Sequence, residues 1–213
     1  MSLNEIVNGN FTCQNLTVLN STIYTSSGCF INSIRNVAEG TGPTLVKYNS
    51  ITKELSYVNN KYVYAYDTTT QSASGANLYN AIKFNTNEIL EGWTHSTGTS
   101  DFVVDLNNQA YFCINYNLQI VANSNSDRSM GVYIDVDGSP VKGSFRTVQV
   151  TNIGNEIILT NSSIISLQPG SHTVKLLMSQ SDPTNGLTIQ PSALLVGPDG
   201  SISSATIDIT RVA

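Results

Sequence analysis

The side chains best suited to chemistry in this 213-residue chain are His95, His172 and the thiol of Cys113. A metal-dependent enzyme on a β scaffold generally needs several histidines with a carboxylate, and two widely separated histidines do not supply that set. A Ser/His/Asp hydrolase would carry its serine in a Gly-x-Ser-x-Gly turn, which the sequence lacks. Nothing in the sequence pairs Cys113 with either histidine as nucleophile and base. The sequence therefore predicts no catalytic residue, no metal ligand and no cofactor.

The carboxylates lead to the same expectation. Asp135-Val-Asp137-Gly138 has the start of a calcium loop but lacks its later oxygen ligands and its bidentate glutamate, and its Asp-Gly dipeptide favours a tight hairpin turn. Paired carboxylates on a β protein are mostly solvated rather than catalytic. This applies to the two pairs that have the residue types of a glycosidase, Asp101 with Asp105 and Glu88 with Glu91. We therefore predict that the protein is not an enzyme.

The elements that would position these side chains are strands. Between Gln109 and Gly138 apolar and polar residues alternate in two successive runs, the period of a strand with one buried face. The apolar positions are Phe112, Ile114, Tyr116, Leu118 and Ile120, followed by Val132, Ile134 and Val136. Similar runs, separated by turn residues, continue to a last strand with Ile207 and Ile209 inward, and none has a capped helical period. The sequence predicts an all-β fold, an antiparallel jelly-roll sandwich of about eight to ten strands from Tyr62 onward.

Charge and cysteine content limit the partners. Only 12% of residues are charged, the net charge is −5 and no Lys/Arg cluster occurs, so we expect no nucleic-acid binding. No apolar run approaches the roughly 18–20 residues of a membrane helix, so no membrane insertion is expected. The N-terminal residues show no secretory signal, which predicts synthesis in the cytoplasm. Three cysteines do not form a disulfide framework. The sequence leaves undecided whether Cys13 and Cys29 form a disulfide bond. The sequons at Asn10, Asn15, Asn20 and Asn161 matter only in an exported protein.

Residues 1–61 differ in kind from residues 62–213. Short β-prone fragments recur near Phe11, Leu16 and Ile23, and each is too short to enclose a core alone. Such a segment is either ordered within an assembly or a partly disordered arm. We predict two parts, an N-terminal shaft or attachment region at 1–61 and a head at 62–213.

Four patterns in the head are similar to those of known jelly rolls. They are Trp93 followed by Phe102-Val-Val and Asn107-Asn-Gln-Ala-Tyr-Phe; the long alternating strand; Val132-Tyr-Ile-Asp-Val-Asp-Gly-Ser-Pro-Val; and Gln168-Pro-Gly-Ser-His-Thr-Val-Lys-Leu with a closing Ser204-Ala-Thr-Ile-Asp-Ile. On these motifs residues 62–213 resemble the tumour necrosis factor-like and complement globular-head jelly rolls, although Gln109-Ala110 stands where a glycine is usual. The N-terminal fragments, with Asn49-Ser-Ile-Thr-Lys-Glu-Leu-Ser-Tyr, resemble the shaft and neck segments of viral and phage fibres.

The resemblance implies a homotrimer. Tyr62, Tyr64 and Tyr66 offer a physical reason, because they share one face of a strand and tyrosine is favoured in interfaces. The alternative is a strand whose tyrosines face the core or the solvent. Trp93 is a candidate for contact with a ligand such as a glycan.

We expect a non-enzymatic structural protein of a virion surface, a trimeric fibre or spike. Its N-terminal region would attach to other virion proteins, and its head would present loops to a host receptor with three-fold avidity. Two alternatives remain: a jelly-roll minor capsid or vertex protein, and a carbohydrate-binding, lectin-like head.

Overall fold

The computed structural model describes residues 61–125, 127–182, 186–192 and 202–212, and the backbone of two strands before them. Those two strands, β1 (Leu45–Tyr48) and β2 (Leu55–Val58), pair antiparallel as the sequence predicts. All regular structure in the described residues is β-strand. They contain no helix with the length and hydrophobicity needed to span a membrane. The predicted fragments before Leu45 and the predicted strand at 193–196 lie outside the described residues, and the boundary at residue 61 stays a prediction.

Two antiparallel sheets form the head. The front sheet has the order β11-β7-β14-β3-β5, with β13 also paired to β7; the back sheet has the order β10-β8-β12-β4, with β6 on β12 and β9 on β8. The strands of the front sheet are β3 (Tyr62–Asp67), β5 (Thr86–Glu91), β7 (Ala110–Ala122), β11 (Glu156–Leu167), β13 (Leu187–Ile189) and β14 (Ala205–Arg211). Those of the back sheet are β4 (Asn80–Ala81), β6 (Phe102–Leu106), β8 (Arg128–Val136), β9 (Ser139–Pro140), β10 (Arg146–Val150) and β12 (Gly170–Gln180).

The chain passes repeatedly from one sheet to the other. It goes from β6 in the back sheet to β7 in the front sheet and returns with β8, and it does so again through β11, β12 and β14. These crossings bring strands that are distant in sequence side by side, which defines a jelly roll. The predicted all-β antiparallel sandwich is confirmed.

The core lies between the sheets and centres on β7. All five predicted inward residues of this strand are buried, from Phe112 to Ile120. From the back sheet Val174, Leu176 and Met178 are buried opposite them, as predicted. Full burial of one such side chain contributes about 1.5–3 kcal/mol. Continuous burial along β7 therefore fixes its register, since a slip by one residue would turn the apolar set outward.

Turn residues behave as their types predict. Asp137 and Gly138 both have positive φ, 53° and 80°, and connect Val136 to its cross-strand partner Ser139. This is the backbone of a type I′ turn, which Asp-Gly favours. The described residues of the head contain more strands than predicted, twelve from β3 to β14. Residues of β5 (Thr86–Glu91) were not predicted as a strand, because Thr-Asn-Glu-Ile-Leu-Glu does not alternate.

The strand register sorts the connections into two ends. Tyr62 is level with Thr210, and Lys61 lies at the same end as the turns that follow β6, β8 and β11. The connections after β7, β10 and β12 lie at the other end, because Val121 pairs with Glu156 and Arg128 with Val150. We call these the Lys61 end and the loop end. Residues before 61 therefore join the head opposite the loop end.

Candidate functional site: the outer face of the front sheet

The three tyrosines of β3 lie on the outer face of the front sheet. Val63 and Ala65, between them, are fully buried in the core, whereas Tyr62 and Tyr66 are half-buried and Tyr64 is exposed. The side chains of β3 alternate because the strand is pleated. The sequence left open whether the tyrosines lie in an interface, face the core or face the solvent. Their outward position excludes the core-facing arrangement.

Cross-strand pairing extends this face over the whole sheet. Direct partners in a sheet point to the same side, so each tyrosine heads a row of outward side chains. The rows are Tyr62-Thr210-Cys113-Ile164, Tyr64-Asp208-Asn115-Ser162 and Tyr66-Thr206-Asn117-Thr160. Adjacent strands are about 4.8 Å apart and alternate residues about 6.8 Å, so five strands present a face roughly 20 Å across.

Large apolar side chains are concentrated on this face. Of the eleven exposed large hydrophobic residues in the described part of the chain, six point outward from the front sheet. They are Tyr64, Ile89, Tyr111, Ile158, Ile164 and Val212. Ile158 and Ile164 are the most exposed of these eleven residues, at 65% and 68%. An exposed apolar patch on one face is typical of an interaction surface.

The centre of the face holds a carboxylate bound by neutral donors. Asp208 Oδ2 accepts a 2.7 Å hydrogen bond from the hydroxyl of Tyr62, and Oδ1 accepts bonds from Thr210 Oγ1 at 2.9 Å and Asn115 Nδ2 at 3.5 Å. The hydrogen bond to Asp208, with partial burial, raises the pKa of the Tyr62 phenol to about 12. The donors come from β3, β14 and β7, so they also tie together the three central strands.

Cys113 lies on the same face, between Thr210 and Ile164. It is a free, half-buried thiol whose Sγ is 3.7 Å from Asn115 Oδ1 and 3.6 Å from Ser162 Oγ. Its neighbours are therefore polar side chains of β7 and β11, and neither histidine is among them. This geometry gives no nucleophile and base.

Trp93 belongs to the core instead of the surface. The side chain is 4% exposed and packs edge-on against Phe112, with ring centroids 5.2 Å apart. Its position just after β5 places it over the start of β7, where it closes the sandwich. The ring offers no face to a ligand in solution, so a glycan contact through Trp93 has no geometric basis here.

The two histidines serve separate structural networks. His95 stacks on Phe102 with centroids 4.1 Å apart, and its ring nitrogens lie 2.6 Å from Asn87 Oδ1 and 3.1 Å from the Thr99 carbonyl. Burial lowers the pKa of His95, which favours the neutral ring at pH 7. Both nitrogens face neighbouring oxygens, so the geometry directs neither at a substrate.

His172 joins two turns at the Lys61 end. Its Nδ1 lies 2.7 Å from Asp137 Oδ2 and its Nε2 lies 2.8 Å from the carbonyl of Gln168, while Asp137 Oδ1 accepts a 2.7 Å bond from the Thr173 N–H. The hydrogen bond that His172 donates to the carboxylate of Asp137 raises the pKa of His172. Partial burial acts to raise the pKa of Asp137, but its bonds to Thr173 and His172 lower it overall.

Asp135, Asp101 and Asn161, further candidates from the sequence, have structural partners. Asp135 accepts a 3.0 Å bond from the Gly138 N–H, which stabilises the type I′ turn. Asp101 accepts a bond from Ser100 and lies 4.0 Å from Lys175. No group of three or more His, Cys, Asp or Glu side chains that could hold a metal ion occurs within the described residues. Asn161, a sequon residue, is buried, so a glycan has no access to its amide nitrogen in the folded head.

Some residues of the outer face were not identified from the sequence. Ile158 and Ile164 belong to runs of two adjacent isoleucines, so one of each pair must point outward from a strand. These adjacent isoleucines were the feature of the sequence that could have identified an outward apolar residue on this strand. Val212 and Ile89 join the face only through pairing with distant strands, which local sequence does not reveal.

Comparisons with known proteins show no family for this chain. No protein-family model matches the sequence. No curated protein matches it either. Among solved structures, murine APRIL at pH 8.5 aligns with 72% of this chain and 99% of its own, at 7% identity and a TM-score of 0.43. Murine APRIL at pH 5.0 covers the same shares at 6% identity and a TM-score of 0.43. The globular domain of zebrafish complement 1qA aligns with 71% of this chain and 95% of its own, at 11% identity and a TM-score of 0.39.

Since these TM-scores lie below 0.5 and the identities below 25%, the class of protein is defined by this chain's own strands. It is an antiparallel jelly roll whose front sheet turns tyrosine and isoleucine side chains outward.

Proposed function

We propose that the chain is the subunit of a non-enzymatic homotrimer, a fibre or spike of a virion surface, in which the outer face of the front sheet contacts sister copies. The observation that carries the proposal is the concentration of exposed tyrosine and isoleucine on that one face. Of the other five exposed large hydrophobic residues of the described part, four lie in connections and Ile157 lies at the start of β11, on the side of the front sheet that faces the core.

The chemistry of the face suits contact with another protein surface. Tyrosine buries a large area while its hydroxyl stays satisfied, as Tyr62 does through Asp208. Among the partners of the three tyrosines on β14, β7 and β11, Asp208 is the only charged residue, while Glu91 of β5 pairs with Tyr62 at the edge of the face. Depletion of charge is typical of interface centres. Covering the exposed part of Ile164, on the order of 100 Å² of apolar area, would stabilise each contact by about 2.5 kcal/mol.

The two ends of the head suit different partners. The N-terminal residues join the head at the Lys61 end, and β7, β10 and β12 end at the loop end, on the opposite side of the sandwich. Ile153, in the connection after β10, is exposed. Its N–H donates a 2.9 Å bond to Oδ1 of Asn125, which links this connection to the one after β7. In a trimer three such loop sets would face one receptor surface, and weak contacts would gain from effective concentration. Residues 1–61 would attach the head to other virion proteins.

The solution mass of the full chain tests self-association. Light scattering after size exclusion should give about 69 kDa, three times the 22.9 kDa chain. Ile164→Lys should shift the particle to 22.9 kDa, because a lysine charge cannot be buried at the contact without a partner. Leu78→Lys is the matched control, since Leu78 is 59% exposed but lies in the connection between β3 and β4, and it should leave the trimer intact.

A wild-type monomer at micromolar concentration would contradict the trimer. Pentamers or closed shells would instead favour a capsid protein. Dissociation by Leu78→Lys but not by Ile164→Lys would place the contact elsewhere. Electron micrographs of the full chain should show a slender stalk on one side of a compact head, and a head without a stalk would contradict the fibre.

A further inference from the structure

Aromatic side chains also lie on the outer face of the back sheet, on the side of the sandwich opposite the proposed trimer contact. Tyr79, in the connection before β4, is 53% exposed, and Phe145, just before β10, is 50% exposed. Tyr133 of β8 is half-buried and points outward, because its neighbours Val132 and Ile134 point into the core. We call Tyr79, Tyr133 and Phe145 the aromatic platform.

Two contacts position the rings of the aromatic platform. Tyr79 packs edge-on against Tyr133, with ring centroids 5.1 Å apart and an interplanar angle of 77°. The ring of Phe145 lies over Gly131, where a β-carbon would be 2.6 Å from its Cζ. Glycine weakens the interior of a strand, and here its missing side chain lets the ring lie close to the sheet. Gly131 therefore positions Phe145, and Tyr133 positions Tyr79.

The aromatic platform crosses the middle of the back sheet. β4 and β10 are separated by β12 and β8 in the sheet order, so their backbones are about 14 Å apart. Tyr79 extends over β12 to reach Tyr133 on β8, and Phe145 extends over β8 from the other side. The exposed rings therefore line a strip that runs across these two strands.

The surroundings of the aromatic platform are polar but carry no net charge. Thr147 and Gln149 of β10 are exposed on the same outer side. The charged strand residues next along this side, Asp135 and Lys175, are opposite in sign and direct cross-strand partners. Partial burial, more than any other cause, raises the pKa of the Tyr133 phenol, which is therefore neutral at pH 7.

We propose that the aromatic platform binds a neutral glycan chain. The apolar C–H face of a hexose stacks on the exposed rings of Tyr79 and Phe145. The hydroxyls of the glycan exchange hydrogen bonds with Thr147 and Gln149 alongside, since hydroxyl and amide side chains both donate and accept.

The charge of this face selects a neutral ligand. Nucleic-acid bases also stack on aromatic rings, but their phosphates need a basic groove, and an acidic glycan likewise needs a cation that is free to pair with it. Lys175 has Asp135 as its cross-strand partner and lies 4.0 Å from Asp101, so its charge is already balanced. A proline-rich peptide is also neutral, but such peptides dock in aromatic-lined grooves, whereas these rings lie on the face of a sheet.

Isothermal titration of the full chain with oligosaccharide and peptide probes tests the site. Cellohexaose, maltohexaose and hexa-N-acetylchitohexaose are neutral, hexagalacturonate is acidic, and decaproline represents a proline-rich peptide. We expect at least one neutral hexasaccharide to bind with a Kd below about 1 mM, and at least about tenfold more tightly than hexagalacturonate or decaproline.

Variants locate this binding on the aromatic platform. Phe145→Ala and Tyr79→Ala each remove an exposed ring, so each should weaken hexasaccharide binding at least about fivefold and leave the urea midpoint close to wild type. Gly131→Ala should weaken binding similarly, because the new methyl group displaces the Phe145 ring without removing it. Ile153→Ala is the control, since it removes an exposed side chain from the connection after β10, and it should bind as wild type does.

Absence of binding by all three neutral hexasaccharides would overturn the proposal. Wild-type affinity in both Phe145→Ala and Tyr79→Ala would do the same, as would tighter binding of decaproline or of hexagalacturonate. The site does not depend on the proposed trimer, because it lies on the other sheet. Light scattering on the same samples reports the particle mass, so failure of one proposal is distinguishable from failure of the other.

Discussion

Gln180 connects three parts of the head from the protein interior. Its side chain is 3% exposed; Nε2 donates to the carbonyl of Ala73 at 3.2 Å, and Oε1 accepts from the N–H of Leu187 at 2.8 Å. Ala73 lies in the long connection between β3 and β4, and Leu187 begins β13. One amide at the end of β12 therefore holds a surface connection and a short strand against the core.

We expect Gln180→Met to lower the free energy of unfolding by about 2–6 kcal/mol. Methionine has a similar length and can fill the same space, so little is lost in packing. The carbonyl of Ala73 and the N–H of Leu187, however, are left buried without partners. Each buried polar group that loses its partner costs about 1–3 kcal/mol, and two such groups give the stated range.

Urea unfolding followed by circular dichroism measures this loss, with all variants at one protein concentration because self-association would shift the midpoint. Gln149→Met is the matched control, since Gln149 is exposed on β10, and its effect should stay within about 0.5 kcal/mol. If Gln180→Met costs no more than the control, the two hydrogen bonds do not stabilise the head and the reasoning is refuted.

Three further variants test other parts of the head. His172→Gln should lower stability most below the ordinary histidine pKa of 6.5, because Asp137 raises the pKa of His172 in the folded head and the benefit is lost as pH rises through that raised value. The same benefit is lost in acid, as Asp137 becomes protonated below its ordinary pKa of 3.8. Urea unfolding at pH 5.5 and 8 should show a larger difference in stability between wild type and His172→Gln at pH 5.5. Equal differences at the two pH values would contradict the stabilising ion pair. Gly186→Ala should cost about 1–3 kcal/mol or more by thermal or urea unfolding, because its Cβ would collide with the backbone carbonyl of Asp182, and an unchanged midpoint would show that this turn relaxes freely. Tyr62→Phe should cost about 1 kcal/mol by removing the bond to the β14 carboxylate, and a stability equal to wild type would mean that water replaces it.

Local alternation was sufficient to predict the strands with one buried face. Along β7 the apolar residues from Phe112 to Ile120 recur at every second position, so period and burial agree. β5 was missed because its position depends on pairing with β3, interrupted by a register shift between Tyr64 and Ala65. A strand held mainly by its neighbour carries little pattern of its own.

The outer face was only partly predictable for a similar reason. The spacing of Tyr62, Tyr64 and Tyr66 showed that they share a side, but which side is outward followed from Val63 and Ala65 packing on the core. The burial of Trp93 depends on Phe112 in a strand formed later in the sequence. Tyr116 was predicted correctly as a core residue, but that its buried hydroxyl has no hydrogen-bond partner is apparent only in three dimensions.

The position of β14 has a consequence for how the protein is made. Among the described strands β14 is the last to be synthesised, yet it lies in the middle of the front sheet, hydrogen-bonded to β7 on one side and β3 on the other. β14 is the strand that hydrogen-bonds to both β3 and β7. Until it has been synthesised, as far as Arg211, no strand joins β3 and β5 to β7. The nascent head must therefore wait with a divided sheet, and its final closure brings together residues almost 150 positions apart, as Tyr62 and Thr210 are.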